Sequence, residues 1–176
     1  MFGGKTTELL RSVLWARNGQ GKQVLVVKPA FDDRYSSTSI VSHDGLETTA
    51  HSIRDWSEVD SLAAEAEIIF FDEGQFFEPP YFADDLRLIV PRYLRMGKTV
   101  FVNGLDMDAH GEPFPIIAHF LAMADEVVKL KAFCSICGRP ATKTFKTVRD
   151  DKKVELGAAG LYEPRCNEHW VADLEK

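Results

Sequence analysis

The sequence predicts an α/β protein: a parallel sheet of the P-loop kind flanked by helices, with a small zinc-binding β subdomain at its C-terminal end. Three observations predict it. Gly4-Lys5-Thr6 is the second half of the phosphate-binding pattern G-x-x-x-x-G-K-[ST]. Glu67-Ile68-Ile69-Phe70-Phe71 runs into the acidic pair Asp72-Glu73, as a buried strand does when it delivers carboxylates beside such a loop. Cys134-x-x-Cys137 and Cys166-x-x-His169 are two knuckles, each able to offer two ligands from one tight turn, and together they close a tetrahedral zinc site. Composition changes at Phe133, so residues 1–131 read as the nucleotide-binding domain and 132–176 as the zinc-binding subdomain.

At 176 residues, 45% of them hydrophobic, the chain is long enough to bury a proper core. The excess of 27 acidic over 21 basic residues argues against a nucleic-acid polymer as partner, because phosphate-backbone binders carry a basic face. Neither a membrane-spanning apolar run nor a signal-peptide pattern is present. All three cysteines lie in the last third, which suits metal ligation in a reducing compartment, and the cytoplasm is the expected location.

The elements follow in the order this fold class requires. Gly3 and Gly4 let the backbone turn so that successive N–H groups face phosphate oxygens, and Lys5, Thr6 and Thr7 open the helix whose positive end completes the cradle. Lys5 suits the β/γ-phosphates of ATP and the Thr6 hydroxyl suits Mg²⁺. The first glycine of the pattern would be expected two positions ahead of Met1, and the strand that normally feeds such a loop before that; a phosphate loop that lacks both is the alternative. The apolar spacing from Thr7 to Ala16 predicts a helix stopped by Asn18-Gly19. Gln23–Lys28 reads as a buried parallel strand, and 31–44 as a polar surface loop. Asp55-Trp56-Ser57-Glu58 starts a helix, and 67–71 is the strand ending at Asp72. A helix spans 81–96, where Pro91 predicts a kink or break. Thr99–Gly104 reads as another buried strand, followed by a ligand-facing loop, a helix through 116–121 that carries His119 on its flank, and a last strand at 127–130. Between the knuckles, 141–148 alternates like a strand, with 152–156 as its expected partner and 157–162 as a small-residue loop pinned at Cys166. Four protein ligands fill the zinc shell, so the metal is expected to be structural.

Taken together, these pieces resemble the zinc-containing, tetrameric class of thymidine kinases. The family's G-P-M-[FY]-[SG]-G-K-[ST]-[ST]-E is matched from Met1 to Glu8, and its R-Y-S-S by Arg34-Tyr35-Ser36-Ser37, with Ser42-His43-Asp44 after it. Its D-E-[GAV]-Q-F-F is Asp72 to Phe77, and its G-L-D…P-F is Gly104-Leu105-Asp106 with Pro113-Phe114. The knuckles and a glycine-rich loop ending in Tyr162 complete a likeness that runs from Met1 to about His169. The resemblance implies a RecA-like sheet, a zinc-ribbon-like subdomain with a "lasso" loop, and transfer of the ATP γ-phosphate to the 5′-hydroxyl of thymidine or deoxyuridine in pyrimidine salvage. It implies Glu73 as base, Lys5 and Arg34 on the phosphates, and Asp72 with Thr6 on Mg²⁺. Met1, Phe76, Leu105, Phe114 and Tyr162 would line the thymine pocket, with Val154, Glu155, Leu156 and Gly157 in the lasso whose backbone reads the base. A homotetramer and dTTP feedback are implied too. Three features depart from the family's pattern: the P-loop's first glycine is not in the sequence, Ala109 stands where several members carry an aromatic, and the lasso reads Gly157-Ala158-Ala159-Gly160-Leu161-Tyr162 where Gly-Gly followed by polar residues is usual.

Two other readings stay open at the level of sequence. One is a P-loop ATPase acting on nucleic acid, in which Glu73 would activate water. The other is a zinc-stabilised binding module without catalysis.

Overall fold

The computed structural model describes residues 2–30, 39–41, 47–148 and 160–174. After the glycine turn, α1 (Lys5–Leu14) buries Leu9, Leu10 and Val13 along one face, which is what holds an otherwise polar segment helical. A π-helical turn, Trp15–Gly19, ends it at the expected stop. Strand β1 (Val24–Pro29) follows, then a hairpin of β2 (Ser39–Val41) and β3 (Glu47–Thr49), and β4 (His51–Ile53). Asp55 and Glu58 form a reciprocal capping box on a 3₁₀ turn, Trp56–Glu58, which leads into α2 (Asp60–Glu65). Next come β5 (Ile68–Phe71), α3 (Leu86–Arg95), β6 (Thr99–Val102) and α4 (Pro115–Met123).

These strands form one parallel sheet in the order β4-β1-β5-β6, with Val27 beside Phe71 and Phe71 beside Val102. Period-two alternation sends its side chains to two cores. On one face Leu25, Val27, Ile69 and Phe71 pack with Leu86, Val90, Tyr93, Ile116 and Phe120 of α3 and α4. On the other, Val26, Ile68 and Phe70 meet Leu9, Leu10 and Val13 of α1. Sandwiching between helices explains why β5 is apolar at every position: all four residues are buried. The sheet's C-terminal edge therefore carries Asp72 and Asn103 on neighbouring strands, facing the start of α1.

Beyond α4 the structure changes character. Two-residue strands β7 (Ala132–Phe133) and β8 (Pro140–Ala141) pair around the first knuckle. Strand β9 (Lys143–Lys146) pairs antiparallel with β10 (Tyr162–Arg165), and α5 (Asn167–Leu174) starts at the second knuckle.

Several expectations need correction. Within the loop expected at 31–44, Ser39 and Ile40 are buried in β2, because the hairpin lays Ile40 on the α1-side core. Strand β6 is not buried but alternates between exposed and half-buried, as an edge strand does; among the described residues nothing pairs with its outer side. Residues 127–130 form no strand, and Val127 and Val128 are exposed; among the described residues no strand pairs with them, and without a partner an apolar run gains nothing from extending. Helix α3 begins at Leu86 and not near 81, because Asp85 caps it by accepting from Arg87 N–H. Pro91 does not break it. Burial of Leu86, Ile89, Val90 and Tyr93 outweighs the one i→i−4 bond that proline forfeits. Along its whole length β9 pairs with β10, whereas the expected partner, 152–156, lies outside the described residues.

Candidate functional site

Gly4 takes a left-handed conformation (φ 75°, ψ 24°) immediately before α1, a backbone state glycine adopts without strain, and no side chain caps the helix there. The first-turn amides of Lys5, Thr6 and Thr7 have no intrahelical carbonyl to bond, so they point out of the helix end as an anion cradle. Gly3 lies against Leu130 and Lys131, which sets the loop beside the C-terminal edge of the sheet.

Onto this cradle the end of β5 brings the acidic pair. Lys5 Nζ lies 3.5 Å from Glu73 Oε1. Asp72 Oδ1 accepts from Asn103 Nδ2 at 2.8 Å, and Asn103 Nδ2 also reaches the Lys5 carbonyl at 3.5 Å. Burial first, and then the neighbouring Glu73 carboxylate, push the Asp72 carboxyl up to about 6, against the opposing pull of Lys5. A buried oxygen donor whose ionisation is held back by missing positive charge suits a hard divalent cation, and the Thr6 hydroxyl in the same cavity adds a second oxygen. Glu73 itself sits at φ 52°, a left-handed position that a non-glycine residue occupies at some cost.

One cavity of about 1030 Å³ joins these groups to an aromatic wall. Gly3, Gly4, Lys5, Thr6, Thr7, Asp72 and Glu73 border it together with Phe76, Leu105, Phe114 and Tyr162. Phe76 meets Phe114 edge-on with centroids 6.4 Å apart and is flanked by Tyr81 at 5.1 Å. Met1, Arg34, Val154, Glu155, Leu156 and Gly157 lie outside the described residues, as do Ser42-His43-Asp44. His119 is exposed on the flank of α4, as expected.

At the other end Cys134, Cys137, Cys166 and His169 place their ligand atoms within 4.8 Å of one another. The measured edges are 3.9 Å for Cys137–Cys166 sulfurs, 3.5 Å from Cys134 Sγ to His169 Nδ1 and 3.4 Å from Cys166 Sγ to the same nitrogen. A tetrahedral zinc with ordinary Zn–S and Zn–N bonds has edges of about 3.8 and 3.6 Å, close to these three, so the donor set and its spacing suit zinc. Burial opposes it, but backbone N–H groups of Cys166, Cys137 and Ile136 bring the Cys134 thiol down to about 5, the thiolate character that metal ligation requires.

Sequence reasoning missed four residues here. Asn103 steadies Asp72, and its carbonyl accepts from Gly74 N–H at 2.8 Å. Gln75 is fully buried between the acidic pair and Leu105; a lone amide inside the aromatic run 70–77 was the available signal. Arg139 Nε donates to Cys137 Sγ at 3.3 Å and is paired with Glu168, so its positive charge leans on the ligand sulfurs. Trp170, next to His169, donates from its indole nitrogen to the Thr144 carbonyl at 3.1 Å and packs on Gly111. A Cβ at 111 would fall 2.5 Å from its ring, at φ 87°. Through that contact the zinc end rests on the loop that carries Leu105 and Phe114.

The thymidine kinase family model matches residues 1–170. Thymidine kinase of Coprothermobacter proteolyticus is 40% identical over 96% of this chain and 85% of its own. That of Bacteroides thetaiotaomicron is 38% identical over 97% of this chain and 83% of its own. The Pyrobaculum aerophilum thymidine kinase is 37% identical, covering 97% of this chain and 94% of its own.

Proposed function

We infer the chemistry of this cavity from the premise that the chain belongs to the thymidine kinase family. It is an ATP-dependent phosphotransferase that moves the γ-phosphoryl group of ATP to the 5′-hydroxyl of thymidine or deoxyuridine, giving the monophosphate used in nucleoside salvage. The observation that carries the reading is the 3.5 Å approach of Lys5 to Glu73, within one cavity that continues to Phe76 and Phe114. A cation–carboxylate pair at a phosphate cradle, open to an aromatic slot, suits a triphosphate on one side and a flat base on the other.

Lys5 and the first-turn amides of α1 hold the β/γ-phosphates and stabilise the charge that spreads over the transferring group. Asp72 and Thr6 would hold Mg²⁺, which supplies charge neutralisation on the phosphate oxygens when bound. Glu73 accepts the proton of the attacking hydroxyl, and Lys5, drawn from Glu73 to the phosphates as ATP enters, leaves that carboxylate available. Phe76, Phe114, Leu105 and Tyr162 enclose the base; by the family resemblance, Met1 would join them, the backbone of residues 154–157 would hydrogen-bond the base, and Arg34 would join Lys5 on the phosphates. Cys134, Cys137, Cys166 and His169 fill all four positions of a structural zinc, and residues 132–176 act as the unit that carries the closing loop. The acid-rich chain and its thiols suit a cytoplasmic enzyme, with the tetramer and dTTP feedback of the family as further expectations for sedimentation and inhibition assays.

The test is a nucleoside panel with Mg-ATP alongside Glu73→Gln. Thymidine and deoxyuridine are expected to be phosphorylated, and the variant to bind both substrates yet lose at least about a hundredfold in turnover, the loss typical of a missing general base. Phosphate release stimulated only by a polynucleotide would reject the kinase reading, and unchanged turnover would remove Glu73 from its role.

A further inference from the structure

Gln75 is 1% exposed, and none of the roles above uses it. Both ends of its amide are engaged. Nε2 donates to Glu73 Oε2 at 2.5 Å, and Oε1 accepts from the backbone N–H of Leu105 at 3.0 Å. These partners fix the amide's orientation, because an ionised carboxylate only accepts and a backbone N–H only donates. The two oxygens of Glu73 are thereby divided: Oε2 is held by Gln75 and Oε1 faces Lys5. The surroundings leave the amide little freedom. Its short 3₁₀ turn, Gly74–Phe76, is tied to the end of β6 by Gly74 N–H donating to the Asn103 carbonyl at 2.8 Å. A Cβ at Gly104 would fall 2.9 Å from Gln75 Oε1 and 2.8 Å from Ile117 Cδ1, so any larger residue there would have to displace the amide or the isoleucine.

We propose that Gln75 is a positioning residue that fixes the Glu73 carboxylate and couples its aim to the Leu105 loop bordering the nucleoside pocket. The proposal rests on the assignment of Glu73 as general base and deepens it. A glutamate has three rotatable side-chain bonds, and with Lys5 nearby an unheld carboxylate would turn both oxygens toward the ammonium. Proton acceptance needs one oxygen within about 2.6–3.2 Å of the attacking hydroxyl, and a misplacement of about 1 Å costs on the order of a hundredfold. With Oε2 clamped, Oε1 keeps one aim. Because the other end of the amide is seated on Leu105, displacement of that loop by a poorly fitting nucleoside is passed to the base, so Gln75 links pocket occupancy to proton transfer.

Two variants separate the two ends of the amide. Gln75→Glu keeps an acceptor for Leu105 N–H but replaces the neutral amide donor with a second carboxyl, which must share a proton with Glu73 and so impairs it as a base; it is expected to lower kcat about tenfold or more while thymidine KM stays within about threefold. Gln75→Met fills the same volume without either bond, and is expected to lower kcat similarly and also raise thymidine KM by about three- to tenfold. The deciding measurement is the cycle with Glu73→Gln: if Gln75 acts through Glu73, adding Gln75→Glu to that variant costs little further turnover. Full additivity in the cycle, or wild-type kcat in Gln75→Glu, overturns the proposal. Thermal midpoints with and without nucleotide identify a variant that fails to fold, in which case the other variant decides. Should Glu73→Gln alone retain wild-type turnover, the base assignment fails and this proposal with it. A large loss there combined with an additive cycle rejects the role of Gln75 and leaves the base in place.

Discussion

The sheet and the zinc end are held by different forces. Around β1 and β5 two apolar clusters bury nearly thirty side chains, with Phe71 wedged between Trp56 and Phe77 at centroid distances of 5.4 and 5.3 Å. At the C-terminal end the buried cluster among the described residues is Cys134, Ala141 and Cys166, and two of its three members belong to the Cys3His group that could hold a metal. A segment with so little apolar surface to bury cannot offset its chain entropy by packing alone. On the proposed reading, phosphate chemistry would be placed by the sheet edge, while the surface that leans on the nucleoside side would take its order from coordination.

Removing the metal is the strongest way to break that contrast. Chelation, or Cys166→Ser, is expected to abolish amide-exchange protection across β7–β10 and α5 while β1 and β5 stay protected, since structural zinc contributes roughly 10–16 kcal/mol to such small units. Retained protection at the zinc end would show a core that packing supplies after all. The converse change is Phe71→Ala, expected to cost the sheet about 3–5 kcal/mol by denaturant unfolding with zinc stoichiometry unchanged.

A third variant sharpens how the sheet edge tolerates its own chemistry. Asp72 has a folded pKa raised from 3.8 to about 6, so its ionisation opposes folding. Its contribution is favourable below pH 4 and is lost as pH rises through 6. In metal-free buffer Asp72→Asn is thus expected to stabilise the protein at pH 7 by about 1–3 kcal/mol and leave it unchanged near pH 3.5. A drop in midpoint at pH 7 would contradict this. Smallest is the seam between the regions: Gly111→Ala, strained at φ 87° and crowding Trp170, is expected to cost about 1–2 kcal/mol and shift indole emission to the red. Unchanged emission would mean that the zinc end does not rest on that loop.

The same contrast explains what was legible in the sequence. Gly4-Lys5-Thr6, Asp72-Glu73 and the two knuckles are read directly because each acts through neighbours close in the chain. Features that depend on distant partners were not. That β6 is the last strand of the sheet among the described residues, and that 127–130 run irregularly, follow from which strands pair, and no local pattern states that. Strands β2, β3 and β4 are three residues each, too short for alternation to register. Trp170 on Gly111 joins positions about sixty residues apart, and the glycine alone reads as an ordinary turn. Gln75 was visible as an oddity among aromatics, but its two partners needed the fold.

The backbone at Glu73 has an evolutionary consequence. Its φ of 52° favours glycine or asparagine, either of which would relax the turn and raise stability. A library of this chain sorted for heat resistance alone would drift toward those residues at 73. With Glu73 as the proposed base, such proteins would be tougher but silent, and thermostabilising designs should leave that position fixed.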